Sequence, residues 1–190
     1  DWINEGRIGQ LKHLKVDFGY PQLPYNPERR EYAKDLGGGC LLEMGIYLVA
    51  MSQLFLKRDP LKCQTLPRFA PNGVEDDLSF FFDYGEVTAS MASSFRCKLQ
   101  NWAYIIGETG YIAIPDFWRA DSCLLYELDT VVDSFKDERE GFGFQYEIDA
   151  VSRDILEGKK SSSIVPHSAS LKFQQQIEYI RSHFPAHSTG

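Results

Sequence analysis

Two ionisable side chains, Glu43 and Tyr47, stand four residues apart at the start of an otherwise apolar run, LLEMGIYLVAMSQLF, and three consecutive glycines lead directly into it. That spacing places a carboxyl and a phenol on one face of a helix. A phenol can give a proton to, or take one from, a carbonyl or hydroxyl oxygen. The glycines, Gly37, Gly38 and Gly39, would let a backbone approach a ligand closely, with N–H groups and the positive end of the helix directed at a ligand oxygen. Each feature also has a plain structural reading. The glycines suit a positive-φ turn with tight packing, Glu43 suits the helix dipole, and Tyr47 suits a core aromatic with a bonded hydroxyl. Leu41, Leu42, Ile46, Leu48, Val49, Met51, Leu54 and Phe55 surround the helix axis, which predicts burial on nearly all sides. A buried helix keeps two polar side chains only where they find partners or line a cavity, so the group together points to an active-site wall.

Composition limits what such a wall could serve. With 190 residues, 43% hydrophobic and 14% aromatic, the chain can bury a sizeable core as one domain. A net charge of −7 with scattered lysines and arginines argues against a nucleic-acid groove or an anionic membrane surface, leaving small molecules and protein as partners. Cys40, Cys63, Cys97 and Cys123 form no CxxC pair and have no histidine at metal-ligand spacing. They read as reduced thiols of a cytoplasmic protein, and no metal is expected. No run approaches the roughly 18 apolar residues of a membrane span. The opening DWINEGRIG lacks signal-peptide anatomy and reads as the end of a helix.

The elements that must position the wall follow from periodicity. Alternation at Leu14, Val16 and Phe18 predicts a strand over Ile8–Tyr20, followed by a proline-rich exposed loop that contains Arg30 and then by the helix over Leu41–Phe55. Strands are expected at Gln64–Phe69, in a hairpin of Leu78–Tyr84 with Val87–Phe95, at Asn101–Gly107 and Tyr111–Ile114 around Glu108-Thr109-Gly110, and at Ser122–Leu128 and Val131–Phe135. Helices are expected at Phe142–Leu156 and Ser168–Phe184, with residues 185–190 a frayed tail. The order indicates an α+β fold, an open, largely antiparallel mixed sheet with helices packed on one face. Thr88, Ser90, Ala92 and Ser94 make one hairpin face small and uncharged, suited either to a homodimer packed sheet to sheet or to a solvated side.

The segment LGGGCLLEMGIY resembles the signature of the Gfo/Idh/MocA oxidoreductases, in the branch that carries a tyrosine four residues after the acidic position. GRIGQLKHLKVDFG, Arg30 seven residues before the first glycine, GETGYIAIPDFW and SASLKFQQQIEYIR match in order along nearly the whole chain. The resemblance implies that residues 1–184 are a C-terminal substrate-binding and dimerisation domain. Its companion, an N-terminal Rossmann domain with a dinucleotide fingerprint and a Glu-Lys-Pro motif, is absent from this sequence. It further implies hydride transfer between NAD(P) and a sugar, diol or related carbinol carbon. Tyr47 would be the general acid/base, and Gly37, Gly38, Gly39, Glu43 and Arg30 would face substrate or cofactor; Glu43 stands where the family commonly has Asp. A free tyrosine titrates near 10, so the family's lysine would supply the cation such a base requires. Without the companion domain these residues are expected to be inactive. The rival reading is a non-catalytic binding or dimerisation module.

Overall fold

The structure is a computed structural model that describes residues 1–185; all but the first residue of the expected tail lies outside the described residues. Eight strands form one open, mixed sheet: β1 (Leu11–Gly19), β2 (Lys62–Phe69), β3 (Glu75–Asp83), β4 (Thr88–Ser94), β5 (Ala103–Gly107), β6 (Tyr111–Ile114), β7 (Ser122–Glu127) and β8 (Thr130–Lys136). Three helices accompany it: α1 (Ile46–Leu56), α2 (Phe144–Leu156) and α3 (His167–Ser182). The strand order is β2-β3-β4-β1-β5-β6-β7-β8. Strands β2, β3 and β4 form one antiparallel group and β5 to β8 another. Between them β1 runs parallel to β4 and antiparallel to β5. The α+β architecture and the order of its elements are those anticipated from periodicity.

The period-2 pattern decides which side of the sheet is dry. Leu14, Val16 and Phe18 of β1 are buried with Leu78, Phe80 and Phe82 of β3, Ala89 and Met91 of β4, and Ala103 and Ile105 of β5. Helices α1 and α3 cover this face through Leu48, Val49, Ile177 and Ile180. The β3–β4 hairpin closes where Tyr84 N–H donates to the Val87 carbonyl and Gly85, at φ 86°, accepts the turn conformation a side chain resists. On the other face Phe81 is 53% exposed and Thr88 is exposed, while Ser90 and Ala92 are half-covered. Ser94 departs from the expected small face. It is fully buried, its hydroxyl accepting from Arg96 N–H and lying 3.6 Å from the Cys97 sulfur, because the chain turns inward as β4 ends.

Three further features depart from the sequence reading. The run Lys34–Leu56, with mean hydropathy 1.6, does reach the length and apolarity of a membrane span, contrary to expectation; in the fold it is broken by the glycine turn and packs on the sheet. Its helix is not buried on nearly all sides: Tyr47 is 42% and Leu54 61% exposed, because only Leu48, Val49 and Ser52 are fully buried while Ile46, Met51, Phe55 and Leu56 pack on the core in part. Helix α2 buries none of its residues, and its regularly spaced Ile148, Val151 and Ile155 face outward, since it lies beyond the edge of the layer that α1 and α3 form.

The four thiols differ sharply in environment. Cys40 is buried and its pKa is raised well above the usual value by desolvation; Cys63 is buried and pushed up to about 12 by the same cause. Cys123 is part-buried and raised, and Cys97 is exposed. Alkylation requires an accessible thiolate. Iodoacetamide at pH 8 should therefore label Cys97 first and Cys123 slowly, with Cys40 and Cys63 modified only after unfolding, as peptide mass mapping would read out.

Candidate active site

The helix that carries Tyr47 does not begin as an ordinary α-helix. Leu41–Gly45 form a single π turn before α1, a widened turn that the hydrophobic pattern could not distinguish from regular helix. Its start is pinned to the sheet from two sides. Ser93 Oγ donates to the Cys40 carbonyl at 2.9 Å and Cys40 Sγ to the Ser93 carbonyl at 3.5 Å. From β3, the Glu75 carboxyl faces the Leu41 N–H, which lowers its pKa against the larger upward effect of desolvation.

The glycines explain how the chain gets there. A short 3₁₀ turn at Lys34–Leu36 ends on Gly37 at φ 76°. Gly38 N–H and Gly39 N–H donate to the Ala33 and Glu31 carbonyls, both at 2.9 Å. A Cβ at Gly38 would lie 2.9 Å from the backbone of residues 31–33, and one at Gly39, where φ is 131°, would lie 2.3 Å from Glu75 Oε1. Gly37 and Gly38 line a hollow of about 390 Å³ with Lys34, Glu75 and Arg181.

Tyr47 and Glu43 lie elsewhere, in a separate cleft of about 320 Å³ lined also by Phe18, Tyr20, Gln22, Met44, Trp118 and Arg119. Tyr47 meets Phe18 edge-on at 5.3 Å between centroids, and Trp118 stacks on the same Phe18 ring at 5.6 Å. Arg119 sits over the Trp118 ring at 4.7 Å and pairs with Asp116 at 3.6 Å. Arg30 reaches from the proline-rich loop to form a short charge-assisted contact with Glu43, which raises its pKa through that hydrogen bond. Thus Tyr47, Glu43 and Arg30 are brought together, whereas the three glycines support the helix from the other side.

Several cleft residues carried no signal in the sequence. Phe18 and Tyr20 read only as strand positions, and Gln22 as loop. Their placement depends on Asn101, fully buried at φ 64°. Its N–H donates to Asp17 Oδ1 at 2.6 Å, its side-chain oxygen accepts Gly19 N–H at 2.9 Å, and its carbonyl accepts Phe117 N–H at 3.3 Å. One residue thereby ties the end of β1 to the turn that carries Trp118. The Phe117-Trp118 pair within GETGYIAIPDFW was the one legible hint of an aromatic border.

Tyr47 also borders a second, larger hollow of about 660 Å³, lined by Ala50, Met51, Leu54, Phe117, Trp118, Ile164, Val165 and Phe173 with Lys57 and Lys172 at its polar margin. Its hydroxyl makes no hydrogen bond to the described residues. A phenol placed between a polar, aromatic cleft and an apolar hollow is free to hydrogen-bond a hydroxyl or carbonyl that enters either one.

The chain belongs to the GFO/IDH/MocA family, whose C-terminal domain matches residues 1–113. Among curated relatives it is similar to trans-1,2-dihydrobenzene-1,2-diol dehydrogenase of Xenopus laevis, 29% identical over 174 residues that cover 86% of this chain and 51% of the relative. It is also similar to dTDP-3,4-didehydro-2,6-dideoxy-alpha-D-glucose 3-reductase of Actinomadura kijaniata, 37% identical over 59 residues, 31% of this chain and 17% of the relative. The chain therefore spans about half the length of the dehydrogenase it matches. Among solved structures, an aldose-aldose oxidoreductase from Caulobacter crescentus complexed with glycerol superposes with TM-score 0.81 at 20% identity, covering 96% of this chain and 56% of that one. A 3-ketoreductase from Actinomadura kijaniata in complex with NADP and TDP-benzene superposes with TM-score 0.80 at 21% identity, covering 97% and 59%.

The glycine turn yields a direct test. Gly39→Ala combines a positive φ with a collision against a buried carboxylate, whereas Gly6→Ala has a positive φ but open space around the new methyl. Gly39→Ala should cost well over about 1 kcal/mol of stability, and more than Gly6→Ala, in urea unfolding monitored by circular dichroism.

Proposed function

We propose that residues 1–184 form the substrate-binding and oligomerisation domain of an NAD(P)-dependent dehydrogenase acting on the carbinol carbon of a sugar, diol or related compound. The observation that carries this reading is the unbonded Tyr47 hydroxyl between the polar cleft and the apolar hollow. Family membership supports the class of reaction, and the relatives' printed substrates, a dihydrodiol and a deoxysugar, support a polyhydroxylated compound.

A nicotinamide, when bound, accepts or supplies the hydride. In the oxidising direction Tyr47, as the phenolate, takes the proton of the substrate hydroxyl as the carbon loses hydride; in reduction Tyr47, as the neutral phenol, gives that proton to the carbonyl oxygen. The aromatic wall of Phe18, Tyr20 and Trp118 offers faces against which C–H groups of a ring can lie, and Gln22 and the Arg30–Glu43 pair offer hydrogen-bond partners for hydroxyls. The apolar hollow on the other side of Tyr47 is the face on which a nucleotide-binding domain would complete the site, and turnover requires that domain. The four unpaired cysteines support a reducing, cytoplasmic setting.

Tyr47→Phe keeps the ring against Phe18 and removes the proton carrier. In the protein that joins this chain to a nucleotide-binding domain, kcat should fall on the order of 10²–10⁴-fold with little change in melting temperature. Near-parental turnover would remove Tyr47 from the chemistry and favour a non-catalytic module.

We also infer a homodimer through the open sheet face. Ser90 and Ala92 lie there beside Phe81, and Tyr104, Tyr111 and Tyr126 continue the surface, the last two stacked at 4.5 Å. A face with small residues and aromatic rings suits a second layer of the same kind. Arginine at Ser90 or Ala92 would place a charge in that layer, so Ser90→Arg should sediment as a monomer; an unchanged dimer, or a monomeric parent at high concentration, would count against the face.

A further inference from the structure

Glu75 is a charged residue in a place that burial alone disfavours. It is 6% exposed at the start of β3, and desolvation raises its pKa. A raised carboxyl pKa means that the folded state gains stability as pH falls and the group is protonated. That gain is fully present below the unfolded pKa and is lost as pH rises through the folded one. Burying the charged form of Glu75 therefore adds nothing of its own to stability, and a reason for the carboxyl lies in what it holds.

It holds three things at once. Its carboxyl faces the Leu41 N–H, at the start of the π turn that leads to Tyr47, and that N–H works against the desolvation that raises its pKa. It fills the space opposite Gly39, where even a methyl would collide with it. Its Oε1, without a hydrogen bond, faces Arg181 Nη2 of α3 at 3.6 Å. Arg181 is in turn paired with Glu178 at 3.3 Å, and the end of α3 is fastened to β2 by Thr65 Oγ1, which donates to the His183 carbonyl at 2.6 Å. The groups facing the Glu75 hollow are thus Arg181 from α3 and Lys34 from the short 3₁₀ turn.

We propose that Glu75 is a positioning residue for Tyr47: locked by Arg181, its carboxylate fixes the glycine turn and the first N–H of the helical segment from which Tyr47 projects. The proposal rests on Tyr47 as the proton carrier. A shift of the segment by a fraction of a turn would move the phenol relative to the substrate without closing the cleft, so the loss falls on the chemical step rather than on binding.

The test is Glu75→Gln, which keeps an acceptor for Leu41 N–H but abolishes the lock with Arg181; the released guanidinium is part-exposed and keeps Glu178. In the protein that joins this chain to a nucleotide-binding domain, kcat should fall roughly tenfold or more, as small misplacements do, while KM stays within about threefold. The melting temperature at pH 7 should be unchanged or higher, and the ring resonance of Tyr47 in ring-labelled protein, assigned through Tyr47→Phe, should move. A kcat within about twofold of the parent, or a loss of turnover that merely tracks a lower melting temperature, overturns the proposal. Should Glu75→Gln fail to fold, Arg181→Lys keeps the charge and shortens the reach; it should shift the same resonance and lower kcat, and an unmoved resonance with intact turnover overturns the proposal. The two readings fail separately. If Tyr47→Phe retains turnover, the catalytic role of Tyr47 falls, and the resonance alone then decides whether Glu75 positions that side chain.

Discussion

The two-sided pairing of β1 is the constraint on which everything else in this fold depends. Strands β2–β4 and β5–β8 are each locally connected antiparallel groups, and only β1, parallel to one and antiparallel to the other, makes them a single sheet. Parallel pairing requires a long crossover between its strands. Here the crossover from β1 to β4 contains the proline-rich loop, the glycine turn, the π turn, α1 and the β2–β3 hairpin. The residues able to do chemistry therefore lie in the excursion that the topology demands, laid back over the strand that starts it. The end of β1 supplies the other wall of the cleft through Phe18 and Tyr20, and Asn101 fastens the Trp118 turn to it. A one-residue slip of β1 would send Phe18 to the open face of the sheet and dismantle both the core and the cleft.

Most of this was legible because strands in a half-buried sheet write their orientation in period two. Leu78, Phe80 and Phe82 against Ser79, Phe81 and Asp83 is unambiguous, and the structure buries the first set. The apolar run of α1 was misleading for a physical reason. Hydrophobicity reports a preference for leaving water, not the surface that will provide the shelter, and Leu54 stands exposed beside an open hollow while Met51 packs on the core only in part. The same holds for α2, whose amphipathic spacing is real while none of its residues is buried.

The site was half legible. Glu43 and Tyr47 stand out by being polar in an apolar run, and their common cleft follows from helical spacing even though the first turn is π rather than α. Arg30 came only from resemblance, since a loop arginine carries no positional signal of its own; its partner, Glu43, is thirteen residues away across the glycine turn. Gln22, Tyr20 and Arg119 could not be found in advance, because contacts across a sheet and a loop depend on register that no local pattern encodes. Glu75 was invisible for a related reason. It stands with Asp76 and Asp77 ahead of the strand expected at Leu78–Tyr84, in a run of acids with no burial signal of its own, and only the approach of Gly39 and Arg181 in three dimensions marks it as buried.

The two sides of the helical segment thus divide the work. On one side lie a buried carboxyl, its arginine and two glycines, Gly38 and Gly39, held tightly against the backbone of residues 31–33 and against Glu75, where a displacement toward those groups meets resistance. On the other lie a hydroxyl without a partner, an aromatic cleft and an apolar hollow, where groups are left free to meet something else. A proton carrier needs both: an acceptor geometry accurate to a fraction of an ångström and a hydroxyl not already committed to the protein. Rigidity concentrated behind the helix and openness in front of it satisfy the two requirements together. The cost is a buried carboxyl at Glu75 and a glycine turn in which Gly38 is pressed against the backbone of residues 31–33 and Gly39 against Glu75.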